Sequence, residues 1–371
     1  MRDSTVLAML RELWTPSGAT RRELEAALGL SRPTVDKALG MLVERGIVVP
    51  VGTRSQGSGR PGTVFCLDGS VCMALGVDLE LPQVDFVLCN LLGETLHRST
   101  LAVGNDLGDP VALLRQVGEQ LAGWLESLGV PWSRVGGAGV AVPAFVRDGV
   151  ATFAGQTMPP WRGVAVRETL ERDVPVPVHV HHDTHLMALV EARAIGWAEG
   201  TLLYIALRPG LAGEVRFGAS VLVDGHAYRG SHGHGGSLYR AFVTREEMEG
   251  RSPKARVDLL VDKAVGFLVH AVTLLDPERI VIHAELLGAD EEAFITACRH
   301  RLREALEGEF PDLHKLVRAK ERGPTAVLGA AVAVVQHLRD NPEQLFGDEG
   351  GENGNRAYRP KGRMAGTRKR R

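Results

Sequence analysis

One segment near the start of the chain, residues 20–67, constrains the fold more than any other part of the sequence. Thr20 and Glu23 have the spacing of a capping box, so a helix is expected to begin there and to end at Gly29. Ser31 is then expected to cap a second helix. In that helix, apolar residues recur three and four positions apart, as on a buried helix face: Val35, Ala38, Leu39, Leu42 and Val43. Two short helices joined by a tight turn are typical of a helix-turn-helix.

The outer side of the second helix carries the residues expected to approach DNA. Helical geometry turns Thr34 and Lys37 away from the apolar stripe. The leading end of the helix carries Ser31, Arg32 and Pro33. Small polar and basic residues at this end of a recognition helix reach base edges and phosphates in the major groove. We therefore predict double-stranded DNA as the partner of this segment.

Two β-branched runs, residues 47–51 and 63–67, follow and enclose a stretch rich in glycine, serine and arginine. Two strands joined by such a loop would form a wing, and we predict that its Arg54, Gln56 and Arg60 contact DNA outside the major groove. The alternative is a small helical subdomain with a hairpin and no role in DNA binding. That alternative requires the helices, the turn and the wing to coincide by chance.

Charge and length bound the rest of the chain. With 371 residues, two or three domains are expected, and a formal net charge of −2 gives no overall attraction to nucleic acid. Residues 1–62 carry nine Lys and Arg against six Asp and Glu, which is a mild local excess. Tight DNA binding is therefore expected to need two copies of the unit, in a homodimer or a dimer of dimers.

The four cysteines are scattered without the spacing of a metal or redox motif, at Cys66, Cys72, Cys89 and Cys298. We interpret them as reduced, mostly structural thiols of a cytoplasmic protein. No signal peptide or long uncharged apolar run is present, so neither export nor a membrane partner is expected.

From residue 71 onward, predicted strands alternate with predicted helices twice over. A meander of three strands opens this region, and helices at about 291–307 and 326–340 close it. Such alternation predicts an α/β domain of two similar lobes with a cleft between them. We therefore predict a DNA-binding unit at 1–70, a two-lobed domain at 71–345 and a disordered basic tail at 346–371. The tail would be either a solubilising end or an arm that contacts phosphates.

The order of several motifs along residues 1–340 resembles the ROK family of repressors, open reading frames and sugar kinases. The motifs lie at residues 30–37, 58–61, 75–78, 139–143, 224–230 and 233–236. Each motif alone is weak, but the ordered set is specific. The resemblance implies a winged helix-turn-helix followed by the actin-like, ribonuclease H-like fold of sugar kinases, and it implies dimerisation.

Three turns that hold ATP in the kinases of this family depart from the glycine-rich pattern here. Glu80 and Pro82 follow the first strand, Glu214 lies in a lengthened second turn, and His283 begins the third. Such turns need residues without a Cβ so that backbone N–H groups can approach the phosphates, and Glu80 is expected to repel a triphosphate. We therefore predict that the chain is not an enzyme and uses no cofactor.

The resemblance also implies a structural zinc site, but this chain lacks its ligands. Arg240 replaces the histidine of that site, and no cysteine lies between Cys89 and Cys298, so no metal is predicted. A replacement metal site of imidazoles and carboxylates stays open as an alternative, because several histidines lie in segments expected to line the cleft. They are His179, His181, His182, His185, His232 and His234.

The ligand site implied by the resemblance survives in outline, at Pro143, His182, Asp183, His234 and Ser237. Asp183 stands where the kinases have their catalytic base, and it could accept a hydrogen bond from a sugar hydroxyl or simply cap the following helix. Ser237 replaces a sugar-binding glutamate, and His182 replaces an asparagine. A sugar-like effector, a different ligand and no ligand at all therefore stay open.

These observations together predict a transcriptional regulator, specifically a repressor of carbohydrate-related genes that responds to a sugar-like effector. The first alternative is a ligand-independent DNA-binding protein whose two-lobed domain only dimerises. An active sugar kinase is the third interpretation.

Overall fold

The computed structural model describes residues 4–15, 17–55, 61–103, 108–153, 161–210, 212–236, 238, 241–306 and 315–346. Four residues singled out above lie outside these ranges, namely Gln56, Arg60, Ser237 and Arg240, as does the tail from residue 347. Within the described ranges, no helix is long and apolar enough to cross a membrane.

The N-terminal unit combines helices with a small antiparallel sheet. Its helices are α1 (Ser4–Leu13), α2 (Arg21–Leu28) and α3 (Arg32–Glu44), and its strands are β1 (Ala19–Thr20), β2 (Val48–Arg54) and β3 (Gly62–Leu67), paired in the order β1-β3-β2. The helix α1 is an addition to what the sequence predicted. It buries Val6, Met9, Leu10 and Leu13 in a core that it shares with α3.

Local signals for α2 and α3 are confirmed with one exception. Thr20 and Glu23 form the predicted capping box, and Gly29 ends α2 in the left-handed conformation at φ 63°. Ser31 precedes α3, but its hydroxyl bonds Thr34 Oγ1 at 2.9 Å instead of a backbone N–H. The prediction that Val43 is buried was wrong: it is 37% exposed, since α3 ends one residue later, beyond the stripe that faces the core.

The first lobe contains a mixed sheet with the strand order β10-β7-β4-β5-β6. The strands are β4 (Met73–Asp78), β5 (Gln83–Asn90), β6 (Thr95–Ala102), β7 (Val135–Val142) and β10 (Val178–His182). Strands β4, β5 and β6 form the predicted antiparallel meander, while β7 and β10 run parallel to β4. The helix α4 (Pro110–Leu128) shares a core with this sheet, and the hairpin β8 (Phe145–Arg147) and β9 (Val150–Phe153) and the helix α5 (Val166–Leu170) follow β7.

The second lobe contains a sheet with the order β13-β12-β11-β15-β16, on which β14 also pairs with β12. Its strands are β11 (Thr201–Pro209), β12 (Val215–Val223), β13 (His226–Ala227), β14 (Phe242–Val243), β15 (Arg279–His283) and β16 (Leu316–Arg318). Its helices are α7 (Arg245–Met248), α8 (Pro253–Leu275) and α9 (Glu291–Ala305). Residues of α8 and α9 share one apolar core with the sheet.

The helices α6 (Asp183–Ala194) and α10 (Thr325–Asp340) share an apolar core with strands of both sheets. The helix α10 lies so close to the first sheet that only glycine fits at two strand positions. A Cβ on Gly76 would lie 2.1 Å from the carbonyl oxygen of Val327, and one on Gly139 would lie 2.0 Å from that of Ala330. The position of α10 is therefore fixed against β4 and β7 by backbone contact.

The N-terminal unit packs directly on this framework. Trp14 Nε1 donates to the carbonyl oxygen of Leu91 at 2.8 Å, and Arg11 donates to that of Asp340 at 2.9 Å. Apolar residues of α1 share one core with β4, β5 and the C-terminal half of α10. The predicted boundary near residue 70 is thus crossed by a continuous core, and α10 links the lobes to the N-terminal unit.

Candidate DNA interface and ligand cleft

The leading end of α3 presents its polar residues to solvent. Ser31, Arg32, Pro33, Thr34 and Lys37 are all exposed, as the sequence predicted. The Arg32 side chain is 77% exposed and has only a loose ion pair, at 3.8 Å, with an acidic neighbour one turn along the helix. Lys37 has no ion pair within the described part of the chain. The exposed N-terminal end of a helix attracts phosphate through its N–H groups, and basic side chains there add to that attraction.

Arg54 has a different environment from the one expected of a wing residue. Its Nη1 donates to both carboxylate oxygens of Glu23 at 3.0 Å, and its Nη2 donates to the carbonyl oxygen of Ser17. The guanidinium therefore ties β2 to the first turn of α2. A contact between Arg54 and DNA stays a prediction, while Gln56 and Arg60 lie outside the described residues.

In the cleft, a buried arginine at the end of β11 connects the two sheets. Arg208 Nε donates to Glu80 Oε1 at 3.0 Å, and its Nη2 contacts the other oxygen of that carboxylate. The same Nη2 lies 3.6 Å from Asp183 Oδ2 at the start of α6, and Nη1 bonds Met187 Sδ at 3.0 Å. The Arg208 side chain is 13% exposed. We call Arg208, Glu80 and Asp183 the cleft ion network.

The cleft ion network corrects the expectation about the charge of Glu80. Glu80 was expected to repel a triphosphate, but its charge is compensated by Arg208 at the end of β11. The Arg208 side chain joins the segment after β4 to the end of β11, next to two of the turns where the sequence departs from the glycine-rich pattern.

Two buried aspartates beside Arg208 have opposite pKa shifts. Burial raises the pKa of Asp78 well above its ordinary value despite the nearby Arg208, and Asp78 Oδ1 has no hydrogen-bond partner among the described residues. Burial alone would also raise the pKa of Asp183, but nearby cationic groups and the N–H of Thr184 outweigh it and lower that pKa. Asp183 is therefore the ionised partner of Arg208. Its Oδ1 also accepts the Thr184 N–H at 2.5 Å, but His182 and not Asp183 is the N-cap residue of α6. The contact of Asp183 with a sugar hydroxyl stays a prediction.

Phe145 brings together predicted ligand residues that are far apart in sequence. The His182 ring stacks on it with a centroid distance of 4.8 Å, and the His234 ring lies at 5.2 Å. His234 Nε2 also lies 3.3 Å from Thr152 Oγ1. Pro143 follows the end of β7, two residues before Phe145. No local sequence pattern singled out Phe145, since its ring contacts depend on where the hairpin folds.

Burial favours the neutral form of several histidines in this region. Burial is the main cause that lowers the pKa of His181 and of His185 to about 3 and that of His179 to about 4. His185 Nδ1 pairs with Ser220 Oγ at 2.9 Å. Within the described ranges, no three His, Cys, Asp or Glu side chains form a group that could hold a metal ion. The alternative of a replacement metal site therefore has no support from these residues.

A cavity of about 470 Å³ opens beside His234. The β8–β9 hairpin contributes Arg147 and Thr152, and the rest of the lining comes from residues 228–235 of the second lobe. Its volume is within the range of small-molecule sites. Hydroxyl, imidazole and guanidinium groups on its walls are donors and acceptors suited to a ligand rich in hydroxyl groups.

The two sheets, the helices between them and the cleft define an α/β protein of the ROK sugar-kinase-like fold. The ROK family model matches residues 76–240, which contain most of the first lobe and the Asp183 side of the cleft. In this region the chain is similar to the ROK family.

Relatives at low identity include a named repressor. The chain is 24% identical over 303 residues to the uncharacterized protein y4fQ of Sinorhizobium fredii, covering 73% of this chain and 75% of that protein. It is 20% identical over 236 residues to the xylose repressor of Bacillus subtilis, covering 62% of this chain and 58% of the repressor.

Solved structures share the fold over different lengths. A ROK family transcriptional regulator, a homologue of the E. coli MLC protein, superposes with a TM-score of 0.70 at 16% identity, covering 92% of this chain and 98% of its own. The ROK hexokinase of Thermus thermophilus superposes with a TM-score of 0.55 at 20% identity, covering 72% of this chain and 99% of its own. The regulator thus matches a larger share of this chain than the kinase does.

Proposed function

We propose that this chain is a DNA-binding transcriptional regulator, and specifically a repressor of carbohydrate-related genes. The observation that carries the proposal is the exposed leading end of α3, where Arg32 and Lys37 stand beside small polar residues on a unit packed against the ROK domain. The similarity to a xylose repressor supports this reading, and so does the larger share of the chain matched by a ROK regulator.

In this proposal the chain has three parts. Residues 1–70 form a winged helix-turn-helix, residues 71–345 sense a ligand and dimerise, and residues 346–371 are a basic tail. Two copies place two α3 helices in successive major grooves of a two-fold operator. Such a regulator works in the cytoplasm, next to the DNA.

The proposed mechanism is a shift between two cleft geometries. A sugar-like ligand at His182, Asp183 and His234 binds one geometry better than the other and so shifts the population. The change reaches the DNA-binding unit through α10, which is fixed against β4 and β7 and shares a core with α1. We propose no catalysis, because Arg208 bridges the turns that would have to hold a nucleotide.

One observation favours the second candidate, a ligand-independent DNA-binding protein whose ROK domain only dimerises. The cleft ion network already pairs Arg208 with Glu80 and Asp183, so the two sheets are linked without any ligand. Calorimetric titration with xylose, glucose and ATP separates the candidates. Heat from a sugar alone supports the sensor, silence with all three supports the second candidate, and phosphorylation of either sugar contradicts both.

The DNA-binding part is tested by selecting bound sequences from a random duplex library with the full chain. We expect one enriched two-fold motif, and Lys37→Ala should weaken binding to it by about 1–3 kcal/mol if Lys37 reads a base. Lys263→Ala is the matched control, because Lys263 is an exposed lysine on α8 in the second lobe. Selection without any enriched sequence would reject the proposal.

A further inference from the structure

A second cavity, of about 500 Å³, lies where the N-terminal unit meets both lobes. Its walls come from the end of α1, the turn between β5 and β6, α6, the turn between β12 and β13, and α10. We call it the junction cavity. It is separate from the cleft, because none of its lining residues belongs to the cleft ion network or to the His234 cavity.

The apolar walls of the junction cavity are held in place. Trp14 is anchored by its bond to the carbonyl oxygen of Leu91, and Val335 of α10 is 5% exposed and part of the shared core. The Trp197 ring carries the guanidinium of Arg279 at 4.9 Å from its centroid. A concave site with fixed apolar and aromatic walls and a volume of this size is typical of small-molecule sites.

The polar groups of the junction cavity favour an anion. Arg193 and Arg339 both line it, and neither has an ion pair among the described residues. Arg193 Nη2 donates to the carbonyl oxygen of Leu92 at 2.5 Å, which holds its guanidinium at the rim. Asp224 is the acidic residue of the lining, and its Oδ1 accepts the N–H of Gly200, the residue before β11, at 2.9 Å.

The walls and the charges of the junction cavity together indicate the class of ligand. Apolar walls and two guanidinium groups without an ion pair among the described residues match an aromatic or short aliphatic body that carries a carboxylate.

We propose that the junction cavity binds a small amphipathic organic anion, and that its occupancy changes the affinity for DNA. The second clause rests on the proposed function, while binding itself does not. Trp14 belongs to the N-terminal unit and Arg339 to the end of α10. A ligand between these residues therefore favours one position of the N-terminal unit relative to α10. The coupling is reciprocal, so DNA must change the affinity for the anion by the same factor.

The binding part is tested with the full chain and anilinonaphthalene sulfonate, a fluorescent aromatic anion. We expect saturable binding that naphthoate displaces and that uncharged naphthylmethanol displaces about tenfold less well, as for one lost charge-assisted bond. Arg339→Gln should weaken dye binding about tenfold, while the control Arg303→Gln, at an equivalent last-turn position of α9, should leave it unchanged.

A second variant keeps the test independent of charge. Gln336→Trp fills the cavity from a half-buried position on α10, and it should abolish dye binding while the far-ultraviolet circular dichroism stays unchanged. Dye binding that survives in both Arg339→Gln and Gln336→Trp would overturn the site. Equal displacement by naphthoate and naphthylmethanol would overturn the choice of an anion.

The regulatory part is measured by anisotropy of a labelled operator with and without naphthoate. We expect a change in the dissociation constant that is absent in Gln336→Trp. An unchanged constant in the native protein would overturn the regulatory clause and leave the site standing. A chain that binds the dye but no operator at all would instead reject the proposed function.

Discussion

The leading end of α3 and the cleft both contain basic side chains, but the two regions treat charge in opposite ways. Arg32 and Lys37 are exposed and largely uncompensated, so they are available to a partner. Arg208 is buried, and its guanidinium meets the carboxylates of Glu80 and Asp183. A basic residue therefore indicates an anionic partner only where the fold leaves its charge unpaired.

Removing Arg208 should produce the largest effect on stability. It tests whether the charges of the cleft are paired, as the comparison requires. Arg208→Met leaves Glu80 and Asp183 in the cleft without their cation. We expect the free energy of unfolding to fall by about 3 kcal/mol, as when one partner of a buried pair is lost. Urea denaturation measures the effect, with exposed Arg303→Met as the control. A loss equal to that of the control would mean that the cleft ion network adds nothing to stability.

Removing Arg32 should have the opposite effect, because it should change DNA affinity and not stability. Its side chain is 77% exposed with an ion pair at 3.8 Å, so Arg32→Ala should leave the free energy of unfolding nearly unchanged. Affinity for the selected operator should fall by about 1–3 kcal/mol if Arg32 reads a base, measured by anisotropy. Arg303→Ala serves as the control for a generic loss of positive charge. Equal losses of operator affinity in the two variants would contradict a role of α3 in sequence-specific DNA recognition.

Local patterns were sufficient for the α3 region and insufficient for the cleft. The capping box at Thr20, the stop at Gly29 and the buried stripe of α3 depend on residues within four positions of each other, so the sequence predicted them. The Arg208–Glu80 pair joins residues 128 positions apart, and no local rule selects that partner. The contacts of Phe145 with two histidines likewise depend on tertiary packing.

The alternation of strands and helices predicted both lobes because hydrophobic periodicity is also local. The close approach of α10 to Gly76 and Gly139 was not predicted, since a glycine in a strand indicates a close neighbour without naming it. The direct packing of the N-terminal unit on α10 was hidden for the same reason. Packing between elements that are distant in sequence is what the structure adds.

Buried histidines in the cleft are expected to make the stability of the protein depend on pH. Burial lowers the pKa of His185 to about 3 from 6.5, and the residue is 5% exposed. Below pH 6.5 the unfolded chain binds a proton there that the folded chain does not, so stability is complete above that pH and falls as the pH falls. His185→Asn should reduce this fall by up to about 1.4 kcal/mol per pH unit. Urea denaturation from pH 6.5 to 4.5 measures the slopes, and equal slopes would show that His185 is protonated in the folded protein.

Arg54 is intermediate between the exposed Arg32 and the paired Arg208. Its removal should have the smallest effect, and it discriminates between a structural role and a role in DNA contact. Its side chain is 37% exposed, yet its guanidinium bonds Glu23 and the carbonyl oxygen of Ser17. Arg54→Ala should lower the free energy of unfolding by about 1 kcal/mol, because β2 loses its tie to the first turn of α2. Glu23→Gln keeps a hydrogen bond to Arg54 but removes the ion pair, so a smaller loss of stability is expected.

If Arg54 also contacts phosphate, Arg54→Ala should lower the slope of operator affinity against salt by about one ion, whereas Glu23→Gln should not. A loss of stability without any change in that slope would make Arg54 a structural residue of β2 and leave DNA contact to the rest of the unit.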